Sequence, residues 1–276
     1  MKKIIIIIFL TSILVLISIL IFNKKRKMDF IKASKNGDIK KLKKLLALGI
    51  DVNIKDEYGY TPLMYASTDG HTEIAKELIK AEADLNIQNE WGFTALICAV
   101  GHIEIVKELI NKGADIDIKC ERGCTALMWA STDGHTEVVR ELIKVGADVN
   151  IQEEEGFTAL ICAAKNGNTE IVKELIKAGA NLNIKDIYGY TALIYASYGD
   201  YTEIVRELIK NGADINIQNK YGDTDLMWAS RGGHIEIVKE LIKVGVNINL
   251  KDENGKTALY YAKEKGHNDI IELLSK

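Results

Sequence analysis

Five histidines could hold a metal: His71, His102, His135, His234 and His267. Each follows a glycine, and they recur at roughly 33 residues or a multiple of it. A zinc site needs three or four such ligands converging on one point. Even spacing instead puts them at equivalent places in successive structural units, about 10 Å apart at ordinary helix-packing distances. A structural role is therefore expected, with no metal and no cofactor. Gly167-Asn168 and Asp200-Tyr201 fill the same place elsewhere. Cys98 and Cys162 are also equivalent and sit beside Ala99 and Ala163, so they read as small buried residues. Cys120 and Cys124 flank a turn. They can pair in an oxidising compartment or remain thiols in a reducing one. Glu73, Glu104, Glu137, Glu170, Glu203, Glu236 and Asp269 recur one per unit among lysines, as on a solvated helix face. No G-x-S-x-G occurs, and no glycine-rich phosphate loop follows a strand. Nothing here predicts an enzyme.

The aromatic residues carry more information. Of the 17 beyond residue 27, nine are expected at turn tips or at the end of a short helix: Tyr58, Tyr60, Trp91, Phe93, Phe157, Tyr188, Tyr190, Tyr198 and Tyr221. Tips normally face water, and Tyr and Trp are enriched in binding hot spots. Tyr58, Trp91, Tyr188 and Tyr221, before the turn glycine, are expected to bind a partner. Tyr60, Phe93, Phe157 and Tyr190, after it, can equally pack on neighbouring turns. Asp69, Asp133 and Glu155 flank the set with acid, as do Glu121 and Glu154, and favour a basic protein partner. Arg122 and Arg231 complete the candidate face. Trp129 and Trp228 fall in an alternation (Tyr65, Cys98, Trp129, Cys162, Tyr195, Trp228, Tyr261) that predicts interlocking core layers.

The elements that would position these residues follow from a repeat. T-x-L recurs at Thr61, Thr94, Thr125, Thr158, Thr191, Thr224 and Thr257, with a period of about 33 residues and one interval two shorter. Ala33, one period before Ala66, marks an eighth unit. In one unit, Thr125 is suited to cap a short helix, Gly134-His135 ends it, and Thr136 is suited to cap a second. Val138, Val139, Leu142 and Ile143 then share a buried face, while Glu137, Arg140, Glu141 and Lys144 face water. Gly146 suits a left-handed helix end. Ala147-Asp148-Val149-Asn150-Ile151 alternates as an extended run, and Gly156 permits a tight turn. Such a chain is an all-α repeat solenoid, each unit packing on its neighbours.

Thr61-Pro62-Leu63, Gly70-His71, Gly113-Ala114-Asp115 and the turn Asp186-Ile187-Tyr188-Gly189-Tyr190-Thr191 resemble the ankyrin repeat. The resemblance covers essentially all of residues 28–276. It implies stacked helix-turn-helix units with projecting β-hairpin loops, and a protein-binding role on the hairpins and the inner helix face. There are departures. The family's histidine after T-P-L is replaced by Met64, Ile97, Met128, Ile161, Ile194, Met227 and Tyr260. Glu82 stands where other units have glycine, at a cost on the order of 1 kcal/mol. The unit after Thr94 is two residues short, which predicts a shortened first helix and a local change of twist. Residues 28–55, with Lys40, Lys41, Lys43 and Lys44, read as an N-terminal cap. Residues 252–276, where Ser275 replaces an isoleucine, read as a C-terminal one.

Residues 1–27 differ. From Ile4 through Leu14 to Phe22, 19 positions carry no charge. As a helix that run reaches about 30 Å, enough for one membrane crossing. It is longer than a signal peptide's apolar region, and Leu20-Ile21-Phe22-Asn23-Lys24 offers no small-residue cleavage site. A single-pass anchor through residues 4–22 is expected. The basic flank Lys24, Lys25, Arg26 and Lys27 favours a cytoplasmic array. A secreted or periplasmic effector or adhesin is the alternative. Six basic residues fall in this segment. The rest carries 30 basic against 39 acidic residues, about −9 where the whole chain is −3. Nucleic acid, which demands a basic surface, is not an expected partner.

Overall fold

The computed structural model describes residues 2–276, with side chains described for Leu16 and from Leu20 onward. Two compact units divide at Glu121 and Arg122. The first opens with α1 (Lys2–Lys35), one continuous helix with no break at residue 27. It is followed by α2 (Ile39–Ala47), α3 (Pro62–Thr68), α4 (Thr72–Lys80), α5 (Ala95–Cys98) and α6 (Ile103–Asn111). The second comprises five helix pairs: α7 (Ala126–Asp133) with α8 (Thr136–Lys144), α9 (Ala159–Lys165) with α10 (Thr169–Lys177), and α11 (Ala192–Tyr198) with α12 (Thr202–Lys210). The last two are α13 (Asp225–Gly232) with α14 (Ile235–Lys243) and α15 (Ala258–Lys265) with α16 (Asn268–Leu274). Within each unit the first helices of successive pairs form one row and the second helices another.

Local chemistry explains the elements. Every T-x-L threonine is an N-cap in extended conformation whose hydroxyl oxygen accepts from the amide three residues on, as Thr191 does from Ile194 at 3.3 Å. Leu63, Leu96, Leu127 and Leu160, two residues past the threonine, are fully buried, as are Leu78, Leu109 and Leu142 on the second helices. Emptying one such position costs about 2–5 kcal/mol. α5 has only four residues, as the missing pair between Ala99 and Gly101 requires. Glu82 has the expected left-handed φ of 62°, and Asp200 joins it at 59°.

Two expectations are corrected. Thr136 does not cap α8; it is the first helical residue, and His135 precedes it without a side-chain capping bond. At equivalent places the side chain turns backwards instead. His71 Nε2 lies 2.9 Å from the Lys35 carbonyl, His102 Nε2 3.1 Å from that of Thr68, and His267 Nε2 3.2 Å from that of Arg231. Asn168 donates to the carbonyls of Ser131 and Thr132 at 2.8 and 3.1 Å. These residues clasp one unit to the one before.

The second correction concerns the β-hairpins: among the described residues there is no β-strand. Six of the projecting fingers keep a closing backbone bond, such as Asp186 N to Tyr190 O at 2.9 Å, and adjacent fingers are joined by bonds such as Lys220 N to Tyr188 O at 2.9 Å. Side chains take further polar groups. Asn183 Oδ1 accepts from Asp214 N at 2.9 Å, and Gln218 Nε2 donates to Gly222 and Lys251 carbonyls at 2.7 and 2.9 Å. Side-chain bonds of this kind substitute for a ladder.

Among the residues whose side chains are described no helix is long and apolar enough to cross a membrane, and most of the run from Ile4 to Phe22 lies outside them. Of the expected membrane-spanning residues, Ile4 and Leu14 lie outside those whose side chains are described. Phe22 is exposed, with the Arg26 guanidinium 5.7 Å from its ring centre. Arg26 also donates to the Leu48 carbonyl at 3.0 Å, closing the end of α2.

Candidate functional site

Six of the finger turns are built around one side-chain acceptor. Asp186 Oδ1 receives the amides of Tyr188 and Tyr190 at 2.9 and 2.8 Å. Asp56, Asn89, Glu153, Asn219 and Asp252 do the same in their fingers. The second carboxylate oxygen reaches the helix behind. The Tyr195 hydroxyl donates to Asp186 Oδ2 at 2.7 Å, Tyr65 donates to Asp56 Oδ2 at 2.6 Å, and Tyr261 donates to Asp252 Oδ2. Tyrosine four residues past the threonine thus always faces aspartate nine residues before it. Nine residues after Asn89, Glu153 and Asn219 stand Cys98, Cys162 and Trp228 in place of tyrosine. Burial, then the aspartate acceptors, push the Tyr65 and Tyr195 hydroxyls well above the usual range, and Tyr261 to about 12. All three remain neutral donors at ordinary pH.

This arrangement revises the reading of Trp228. The position is half-buried, not a core layer. In the C-terminal unit Trp228 joins Tyr188, Tyr190, Tyr195, Tyr198 and Tyr221 around an open depression of about 430 Å³. Tyr190 contacts both Tyr195 and Trp228 in tilted arrangements, its centroid 5.3 and 6.2 Å from theirs. Tyr198 stands edge-on to Trp228 at 5.1 Å and 88°. Tyr188 and Tyr221 form the rim and are 47% and 49% exposed, enough to meet a partner. Gly189 lets the fingers approach: a Cβ there would lie 2.9 Å from Lys220 N.

The N-terminal unit carries a smaller counterpart. Tyr58 stacks on Trp91 at 5.9 Å, and Tyr60 lies 5.2 Å from Tyr65 and 5.9 Å from Trp91. Tyr58 and Trp91 are exposed, while Tyr60 and Phe93 are half-buried. Aromatics after the turn glycine therefore pack inward and those before it stand on the rim. Asp69 and Asp133 are exposed at the ends of α3 and α7.

Four candidate residues are already engaged. Arg122 and Glu155 pair with each other at 2.6 Å across adjacent finger tips. The Arg231 guanidinium lies between rings, 4.8 Å from Trp228 and 4.0 Å from Tyr261. Phe157 lies under the Lys165 ammonium at 4.7 Å. Tyr195 and Trp228 belong to the site, although their place in the repeat suggests core. The aspartate nine residues before each tyrosine is the signal that could find the tyrosine. The Cys98 and Cys162 thiols are pushed up to about 11 by burial, opposite to what a nucleophile needs.

Stacked helix pairs joined by projecting fingers define a helical repeat solenoid. A family model for ankyrin repeats matches residues 30–120, 101–186, 127–219 and 193–276. The chain belongs to the ankyrin-repeat family, whose members are typically non-enzymatic interaction modules. A search of the curated proteins finds no match to it.

Proposed function

We propose that the chain is a membrane-tethered scaffold that captures a basic protein segment on its finger tips and first-helix face. The observation carrying this reading is the aromatic depression of the C-terminal unit. Six aromatic side chains gather on a face where packing does not require them, and two of them stand about half exposed on the rim. Large amphipathic rings, here anchored by the hydrogen bond from Tyr195 to Asp186, are what binding hot spots use. The acidic balance of residues 28–276 supports a basic partner. The uncharged run from Ile4 to Phe22 and its basic flanks support a single-pass anchor with the array in the cytoplasm.

The test is crosslinking and pull-down with the full chain and with the triple variant W91A/Y188A/Y221A. Partner capture is expected to fall at least tenfold while thermal unfolding is unchanged. Loss of folding would make these rings structural instead. Extraction of the chain from membranes by alkaline carbonate, or phosphatase activity from a reporter fused after Lys276, would overturn the anchor or its orientation.

A further inference from the structure

The aromatic face of the C-terminal unit is also a row of cation sites, filled by the protein's own side chains. Numbered from the T-x-L threonine, the seventh residue of one helix pair projects over the fourth residue of the next. Lys165 is such a seventh residue, and its ammonium lies 4.7 Å from the Phe157 ring centre and 5.3 Å from that of Tyr195. Arg231 is the next cationic one, sandwiched between Trp228 and Tyr261. The N-terminal unit repeats the rule: Lys35, in the same register, lies 5.1 Å from the Tyr65 ring centre. All these separations are within the range of cation–π attraction, about 6 Å.

Among the registers of the C-terminal unit whose next fourth residue is a ring, one breaks the rule; the uncharged Thr132 precedes Cys162, which offers no ring. Between Tyr195 and Trp228 the seventh residue is Tyr198, which stands perpendicular to Trp228 and carries no charge. The opening left beside it is the depression of about 430 Å³. Its walls are aromatic rings, and the Asp186 carboxylate stands behind Tyr195 as an added negative charge. The slots on either side hold cations, so the chemistry that completes this one is a cation from outside.

We propose that the depression lined by Tyr190, Tyr195, Tyr198 and Trp228 receives the arginine or lysine side chain of a bound protein segment, taking the place that Lys165 and Arg231 occupy in the adjacent registers. This rests on the protein-binding reading above and specifies what that partner must present. Ring faces attract either cation, and a neutral group of the same shape gains only contact area.

The test uses full-length protein carrying 5-fluorotryptophan, with the Trp228 fluorine resonance assigned by W228F. The probes are N-acetyl-arginine amide, N-acetyl-lysine amide and the neutral arginine isostere N-acetyl-citrulline amide. Both cations are expected to move the Trp228 resonance in a saturable way, with citrulline at least fivefold weaker. Y198K should place an internal ammonium in the slot, as Lys165 does one unit earlier, and abolish the response. Tyr198 is 63% exposed, so this exchange leaves the core intact, which unchanged thermal unfolding would verify. Equal shifts from citrulline, no shift from any probe, or an undiminished response in Y198K would overturn the proposal. Probe binding with no protein captured by the full chain would remove the scaffold reading and leave the cation site standing. Capture that persists undiminished in Y198K, with a silent Trp228 signal, would remove the cation site alone.

Discussion

The Tyr195 hydroxyl donates to Asp186 Oδ2 at 2.7 Å, while Asp186 Oδ1 holds the two amides that form the finger tip. One buried aspartate therefore ties the finger to α11 and sets the angle at which Tyr188 and Tyr190 are presented. Y195F removes the donor and leaves a buried carboxylate oxygen short of a partner. A hydrogen bond to a charged group contributes about 1.5–3 kcal/mol. Urea unfolding is expected to show a loss in that range, and proton exchange at the Tyr188 and Tyr190 amides should quicken. D186N should cost less, because Asn89 and Asn219 build the same turn without a tyrosine partner.

Asp225 stands where five other units carry alanine and one carries Pro62. It is buried in the core; Oδ1 accepts from Leu226 N at 2.6 Å and Oδ2 has no partner among the described residues. Burial raises its carboxyl to about 8. An unfolded aspartate titrates near 3.9, so between about pH 4 and pH 8 the folded state holds a proton that the unfolded state has released. Stability therefore falls with rising pH across that window and levels off above it. D225A should stabilise the C-terminal unit slightly at pH 4, increasingly up to pH 8, and by a constant amount beyond. Thermal melts of both proteins from pH 4 to 9 check this; a gain that does not change with pH would contradict it.

Glu82 holds a left-handed φ of 62° at the end of α4, where six other units place glycine. The side chain is exposed and makes no packing contribution that glycine would forfeit. E82G should raise stability by on the order of 1 kcal/mol in denaturant unfolding. An unchanged midpoint would mean that the freer unfolded chain offsets the relieved strain.

What can be read from the chain alone follows from what repeats. The threonine caps, the paired helices, the short α5 and the strain at Glu82 all show when successive repeats are laid over one another, because each is a local consequence of residue type at a fixed place. The pairing of Asp186 with Tyr195 shows only when two places are compared across units, nine residues apart, and tyrosine and aspartate each suit several other roles. The finger conformation is not legible in the same way, because alternation in Ala147–Ile151 is also what Asn150 and Gln152 need to reach the next finger. Trp228 misleads for a related reason: a large ring on a short helix suits a core and a groove wall equally, and only its neighbours Tyr190 and Tyr198 decide between them.

The clasp between helix pairs supplies a last prediction. His267 precedes α16 and places Nε2 3.2 Å from the Arg231 carbonyl at the end of α13, so the terminal pair is held by a bond that spans 36 residues. Asn168 fulfils the same role with its amide nitrogen, 2.8 Å from the Ser131 carbonyl. A donor of suitable reach is what the position demands, and imidazole chemistry is incidental. H267A should cost about 1 kcal/mol, the ordinary net value of such a bond. Because a terminal unit has a neighbour on one side only, the loss should appear as faster hydrogen exchange in α15 and α16, with α9 and α11 unaffected. H267N should restore most of the protection. Equal exchange in H267A and H267N would show that ring packing against Gly233, rather than the hydrogen bond, secures the end of the array.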